Sequence, residues 1–224
     1  MIVTIDGPAG AGKTTVAKAL AARLRARYLD TGAMYRAVAL AGLRNGIDWH
    51  DPEQLAAVAE RIDIRFDGDR VLLDGQDVSQ AIRTSDLTAV TRHAADNAAV
   101  RRQLIQRQRA FARDGDLVTE GRDQGTLVFP EADCKVFLTA SPEERARRRV
   151  ADLQARGESA SFEQILAQQQ RRDEDDAARQ WGRLTKAADA IEVNTDGLLL
   201  DQVVDRLAQI VRQRGSGCDA PATG

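Results

Sequence analysis

An open, parallel, five-stranded α/β sheet flanked by helices is the fold class this sequence predicts, and three observations predict it. Short, continuous apolar runs alternate with longer helical stretches, as parallel strands covered on both faces require. A glycine-rich loop, Gly7-Pro8-Ala9-Gly10-Ala11-Gly12-Lys13-Thr14, stands between the first apolar run and the first helix. An Asp- and Gly-rich turn at Asp67-Gly68-Asp69, between two alternating runs, breaks the series once and marks a small antiparallel insert.

The parallel strands are expected at Ile2 to Ile5, Arg27 to Leu29, Asp116 to Thr119, Cys134 to Thr139 and Ala190 to Val193. Helices are expected over 14–26, 33–45, 52–60, 86–113, 142–156, 161–177 and 199–213. Strand, crossover helix and parallel strand in succession demand right-handed connections. The insert pairs Asp63 to Phe66 with Arg70 to Val78. Residues 1–213 are expected to form a single domain, and 214–224, rich in Gly, Ser, Ala and Pro, a disordered tail with nothing to bury.

The loop has the full G-x-x-x-x-G-K-[ST] pattern in its confirming setting of strand, loop and helix. Glycines at 7, 10 and 12 let successive backbone amides turn inward around phosphate oxygens, where a Cβ would intrude. The triphosphate site therefore comprises Gly7, Pro8, Ala9, Gly10, Ala11, Gly12, Lys13, Thr14 and Thr15. Lys13 reaches the β- and γ-phosphates, and the Thr14 hydroxyl goes to Mg²⁺. The N-terminus of the following helix adds partial positive charge.

Composition narrows the classes. A chain of 224 residues, 43% hydrophobic, fills one substantial core with room for a small lobe. Its net charge of -2 gives no basic field for nucleic acid, and aromatic content of 4% leaves no stacking stripe. No apolar run is long enough to cross a bilayer, and Met1-Ile2-Val3 leads directly into a strand, so a cytoplasmic protein without membrane partners is expected. Two cysteines and two histidines suggest neither a disulfide framework nor a histidine-rich metal site. Of the 32 cationic residues only four are lysine. Arginine is suited to bidentate recognition of phosphate and carboxylate, though only arginines in motifs are assigned a role.

Four such motifs occur. Asp30-Thr31-Gly32-Ala33-Met34-Tyr35-Arg36 follows the second strand, and Asp30 there is a candidate to orient Mg²⁺-bound water. Glu120-Gly121-Arg122-Asp123-Gln124-Gly125-Thr126 follows the third, where doubly wound sheets bind ligands. Ser141 to Arg149 opens a helix, and Arg172, Asp176 and Arg179 recur at i, i+4 and i+7 on another. A phosphorylated acceptor requires arginines delivered to one point from several elements, because phosphoryl transfer depends on positioning and charge neutralisation.

With these residues in view, the chain resembles the bacterial cytidylate kinases, which move the γ-phosphoryl of ATP to CMP or dCMP. The resemblance covers about residues 1–213 and rests on Ile5 to Lys13, Leu29 to Arg36, Asp77-Val78-Ser79 with Ile82-Arg83-Thr84, Arg107-Gln108-Arg109, Glu120 to Thr126 with Val128-Phe129-Pro130, and Arg172 to Arg179. It implies a P-loop kinase with an acceptor-binding insert near 31–100 and a helical lid near 150–180, acting as a monomer on small nucleotides with Mg²⁺. It gives catalytic roles to Lys13, Arg122, Arg172 and Arg179. It assigns Arg36 and Arg122 to the acceptor phosphate, and Thr31, Arg101, Asp123 and Arg179 to the surroundings of cytosine. Arg172 and Asp176 match residues that hold the sugar, and Asp30 and Tyr35 complete the acceptor set. Three positions depart from the family pattern: Thr31 where Ser is common, Arg92 where a sugar-contacting Ser stands, and Asp175 where a third lid cation is frequent. Two other readings stay open at this level, a kinase of UMP, dTMP or AMP and a non-kinase phosphate-loop protein. Against the second, the chain contains no Asn-Lys-x-Asp guanine signature.

Overall fold

The computed structural model describes residues 1–155, 157–179 and 181–215; the tail expected over 214–224 lies outside them beyond Gly215. In chain order the elements begin β1 (Ile2–Asp6), α1 (Lys13–Leu24), β2 (Arg27–Asp30), α2 (Thr31–Arg44), α3 (Pro52–Arg61), β3 (Ile64–Asp67), β4 (Arg70–Leu73) and β5 (Gln76–Asp77). They continue with α4 (Ser85–Asp96), α5 (Ala98–Phe111), β6 (Leu117–Gly121), β7 (Cys134–Thr139), α6 (Pro142–Ala155), α7 (Phe162–Ala178), β8 (Ile191–Asn194) and α8 (Leu200–Gly215).

These elements form two compact units. One comprises Met1–Tyr28, Asp114–Arg179 and the segment from Arg183 onward; the other comprises Leu29–Arg113 and a short stretch ending at Gly182. The chain passes from the first to the second within β2.

The five predicted strands form one parallel sheet in the order β2-β6-β1-β7-β8. Val3 lies beside Val118 on one side and Cys134 on the other. The residues of one face, Val3, Ile5, Val118, Val136, Leu138 and Val193, are sealed by Val16 and Leu20 of α1 and by Val203, Leu207 and Val211 of α8. Burying each such side chain contributes roughly 1.5–3 kcal/mol, so this layer anchors the sheet whose carboxyl ends carry the site. The alternate residues Thr4 and Thr119 are equally buried but polar, and Thr119 Oγ1 donates to Gln124 Oε1 at 3.0 Å. The helices α6 and α7 form a hairpin with its own apolar cluster of Ala146, Leu153 and Ile165. Among the described residues no helix is long and apolar enough to cross a membrane.

In the second unit, α2 packs on α3, α4 and α5. The insert is a three-stranded antiparallel sheet, β3-β4-β5, one strand more than the predicted hairpin. Phe66 of β3 meets Phe111 edge-on, with ring centroids 6.0 Å apart. The single helix expected over 86–113 is instead two. Asn97 takes an extended conformation between α4 and α5, and its Oδ1 accepts from the Ala99 and Val100 amides at 3.0 and 3.1 Å. An asparagine that captures backbone amides starts a helix rather than continuing one. Its Nδ2 also donates to the Pro52 carbonyl at 2.7 Å, which ties the break to the start of α3.

Candidate functional site

The phosphate loop leaves the carboxyl end of β1 and enters α1 at Lys13. No side chain caps α1, since Gly12, in the left-handed conformation at φ 86°, occupies the cap position. The first-turn amides therefore face the loop without an intrahelical partner, the standard condition for binding an anion. Gly10 also needs its positive φ of 79°. Gly7 differs from expectation. A Cβ there would lie 2.0 Å from the Leu138 carbonyl oxygen, so β7 alone requires this glycine, before any phosphate approaches.

Lys13 is 6% exposed, and its Nζ donates to the Pro8 carbonyl at 2.8 Å, folding the side chain across the loop. Burial and then the Arg122 charge lower its pKa from 10.5 to about 7, against the opposing pull of Glu120 and Asp6. Thr14 Oγ1 donates to Glu120 Oε1 at 2.6 Å, so the last residue of the loop meets a carboxylate from the end of β6. Asp6, the residue before Gly7, accepts from the Gln124 and Gly125 amides at 2.9 and 2.7 Å. Burial raises its pKa to about 6, although both amide bonds act in the other direction. These bonds fix a single π-helical turn over Gln124–Val128, and thereby the path of the segment that carries Arg122 and the buried Asp123.

Asp176, 2% exposed, is the focus of the arginine cluster. Arg122 Nε donates to its Oδ2 at 2.8 Å, and Arg179 Nη1 lies 2.8 Å from its Oδ1. Burial would raise the Asp176 pKa, but Arg122, Arg179 and Arg172 outweigh it and hold the carboxyl below its ordinary value. Arg179 does not extend the helical face as predicted. It follows the end of α7 with ψ 136° and reaches Asp176 from outside the helix. Arg172 is exposed on α7, and its charge is felt by both Lys13 and Asp176.

The second unit holds the rest of the predicted set. Asp30 is the N-cap of α2: its Oδ1 accepts from the Ala33 amide at 2.8 Å, and its Oδ2 from Arg36 Nη2 at 3.1 Å. The carboxylate expected to orient metal-bound water is thus occupied on both oxygens by a helix start and an arginine. Gly32 makes room for this pair, since a Cβ there would lie 3.1 Å from Arg36 Nη1 and 3.2 Å from Asp30 Oδ1. Arg36 Nε is buried without a hydrogen-bond partner. Thr31 is buried beside the cap. Arg101, 5% exposed, stacks over Tyr35 at 5.5 Å, donates to the Ala95 carbonyl at 3.2 Å and lies against Gly182, where a Cβ would be 1.9 Å from its guanidinium. Arg92 is exposed on α4.

A sequence profile of the family described as cytidylate kinase matches residues 3–213. This protein belongs to the cytidylate kinase family. It is 50% identical over 213 residues to a cytidylate kinase of Rhodopirellula baltica, covering 95% of this chain and 93% of that one. A cytidylate kinase of Geobacter sulfurreducens is 45% identical over 218 residues, with 96% and 94% covered. Among solved structures, a gluconokinase from Sinorhizobium meliloti aligns with a TM-score of 0.51 at 14% identity over 96% of this chain and 94% of that one, a likeness of fold.

Within this cytidylate kinase fold, two acidic residues carry more of the site than the sequence reading gave them. Glu120 and Asp6 both stand inside the motifs that carry the resemblance, where spacing alone reveals no role for either. The available signal was position: each is a carboxylate at the carboxyl end of a parallel strand, where an apolar run ends in an acid. Arg145 and Arg148 of α6 also acquire definite contacts. Arg148 donates to the Thr195 hydroxyl and carbonyl at 3.0 and 2.8 Å, and Arg145 to Asp173. Helical spacing gave no means of separating these two from Arg147 and Arg149.

Proposed function

We propose that this member of the cytidylate kinase family transfers the γ-phosphoryl of ATP to the phosphate of CMP and dCMP, with Lys13, Arg122, Arg172 and Arg179 neutralising the transferring group. The observation that carries this reading is the surplus of positive charge around Lys13 and Asp176. Burial lowers the Lys13 pKa most, Arg122 and Arg172 lower it further, and Arg122 and Arg179 share one carboxylate at Asp176; cations set this close together call for further anions. Phosphate oxygens supply them.

The residues of the first unit fit Mg²⁺. The Thr14 hydroxyl and the Glu120 carboxylate are hard oxygen donors 2.6 Å apart beside the loop, and this ion is commonly held by one or two such groups together with substrate phosphates. Thr14 and Glu120 would hold it, while Asp30, whose oxygens already accept from the Ala33 amide and Arg36, would act on it only through water. When bound, the ion neutralises charge on the phosphoryl oxygens. The chain does the rest. The loop amides and Lys13 fix the donor phosphates, and Arg36 and Arg122 orient the acceptor phosphate. An oxygen of that acceptor attacks the γ-phosphorus while the bond to the β-γ bridging oxygen breaks and ADP leaves. The attacking oxygen is already anionic near pH 7, since phosphate monoesters have a second pKa of about 6, so no general base is required.

Arg36 suits the acceptor role because its Nε is a buried donor without a partner, while Nη2 is held by Asp30. Thr31, Arg101, Asp123 and Arg179 surround the base in this reading, Tyr35 belongs to the acceptor set beside Arg101, and Arg172 and Asp176 hold the sugar. Cytosine presents an N4 donor beside N3 and O2 acceptors, which a mixture of Asp and Arg distinguishes from uracil. Residues 31–100 act as the acceptor-binding insert and 150–180 as the lid. The enzyme works as a cytoplasmic monomer. A coupled assay of ADP release across CMP, dCMP, UMP, dTMP and AMP tests the reading: CMP and dCMP are expected to exceed the others in kcat/KM by at least tenfold, and equal use of UMP or AMP would reject it.

A further inference from the structure

Arg145 is a long cation on α6 that faces inward, 3% exposed, at the edge of the phosphate loop. A guanidinium suits phosphate and carboxylate alike, and here its donors are directed to protein groups. Nη1 and Nη2 form a fork on the Asp173 carboxylate at 3.1 and 2.6 Å. Nη1 also donates to the Ala9 carbonyl at 3.0 Å, and Nε to the Ala140 carbonyl at 3.2 Å. One planar group thus joins the phosphate loop, the residue after β7 and α7. A second tie runs beside it, where Gln169 Nε2 donates to the Arg145 carbonyl at 3.1 Å. Gly10 completes the fit: a Cβ there would lie 3.0 Å from Gln169 Nε2 and 3.2 Å from Arg145 Cβ, so the loop rests directly on these two side chains.

Asp173 is the neighbour of Arg172 and lies one helical turn before Asp176. Whatever fixes Asp173 therefore fixes the rotation and axial position of α7 at the turn that presents both residues. A bidentate arginine-carboxylate pair specifies orientation as well as distance, which a lysine in its place cannot do.

We propose that Arg145 is a positioning residue for phosphoryl transfer. Through its fork on Asp173 and its bond to the Ala9 carbonyl, it sets where α7 presents Arg172 relative to the phosphate loop. The proposal rests on the assignment of Arg172 to the transferring nucleotides. Arg145 itself touches no substrate, and its effect appears in the step that needs Arg172 in place rather than in the binding of either nucleotide.

The test is a kinetic cycle on the full chain at 15 °C, with thermal unfolding measured in parallel. Asp173→Asn keeps the size and one acceptor of the side chain but removes the charge-paired fork, and Arg145→Lys keeps the charge but not the geometry. Each is expected to lower kcat by about tenfold or more, while KM for ATP and CMP changes less than threefold. In an Arg172→Ala background, Asp173→Asn is expected to lower kcat by less than threefold, because the group it positions is gone. The same factor in both backgrounds overturns the proposal, as does an unchanged kcat in Asp173→Asn and Arg145→Lys. A loss confined to thermal stability, with kcat intact, makes the contact structural and likewise overturns it. If Arg172→Ala alone leaves kcat and KM untouched, the assignment of Arg172 fails and the proposal with it. A large Arg172→Ala defect with multiplicative losses rejects the positioning role alone.

Discussion

Each unit buries a carboxylate among arginines, and the two differ in how that carboxylate is loaded. In the second unit Asp30 meets one arginine, Arg36, and one backbone amide, so charge is matched one for one at a helix start. In the first unit Asp176 meets Arg122 and Arg179, with Arg172 acting on it, and Lys13 lies within the influence of Arg122 and Arg172. A matched pair organises backbone. Where several arginines act on one carboxylate, charge is no longer matched one for one, and a polyphosphate can complete it.

The largest break in this comparison is Lys13→Ala, which removes the most buried cation of the surplus. We expect kcat to fall by about 10³ or more, as for loss of a donor to a developing phosphoryl charge, without any fall in Tm, because burying an ammonium opposes folding. Steady-state rates and thermal unfolding check both halves, and a kcat within tenfold of wild type would remove Lys13 from the chemistry. Next is Asp176→Ala, which takes the counter-charge and leaves Arg122 and Arg179 facing each other. The expected outcome is a fall in kcat/KM for CMP of at least tenfold and a loss of about 3–5 kcal/mol in stability, with ATP affinity within twofold. Undiminished denaturant stability would mean the cluster is not organised by this residue.

Arg36→Ala tests the matched side. KM for CMP should rise by about tenfold, a charge-assisted contact of roughly 1.5 kcal/mol, while α2 stays capped because Asp30 Oδ1 keeps the Ala33 amide. A fourth measurement sharpens the electrostatics. With its pKa lowered to about 7, Lys13 is mostly neutral at pH 8 and charged at pH 6. Triphosphate binding raises that pKa, so ATP should take up close to one proton at pH 8 and almost none at pH 6. Calorimetry in two buffers of different ionisation heat reads this directly, and Lys13→Arg should abolish the uptake. The smallest effect belongs to Asn97→Ala, which removes the cap of α5 and should cost about 1 kcal/mol, a few degrees in Tm, with kcat unchanged.

Much of this was legible in the sequence, for identifiable reasons. Parallel strands such as Cys134–Thr139 read well because continuous apolar runs survive any arrangement of their neighbours, and the loop at 7–14 read well because its spacing is set by local backbone needs. The break at Asn97 was missed because an asparagine in a helical stretch shows its capping role only when its own backbone extends. The dual occupation of Asp30 was missed because an acid just before a helix suits a metal and a cap equally well. The contacts of Arg145 were invisible for a different reason: Ala9, Ala140 and Asp173 are far apart in the chain, and only the fold brings them to one guanidinium.

The hairpin of α6 and α7 has a mechanical consequence. Its two helices are joined by an apolar cluster, and Arg145 of α6 links Asp173, near one end of α7, to the Ala9 carbonyl of the phosphate loop. Phe162, at the other end, is eleven residues away, about 16 Å along the axis. A rotation of ~10° about the tie therefore sweeps the Phe162 end through roughly 3 Å while Arg172 and Asp176, within about 5 Å of the pivot, shift by less than 1 Å. The hairpin is a lever held close to its working end. Its distal arm can swing across the solvent while the side chains beside the fulcrum keep their places.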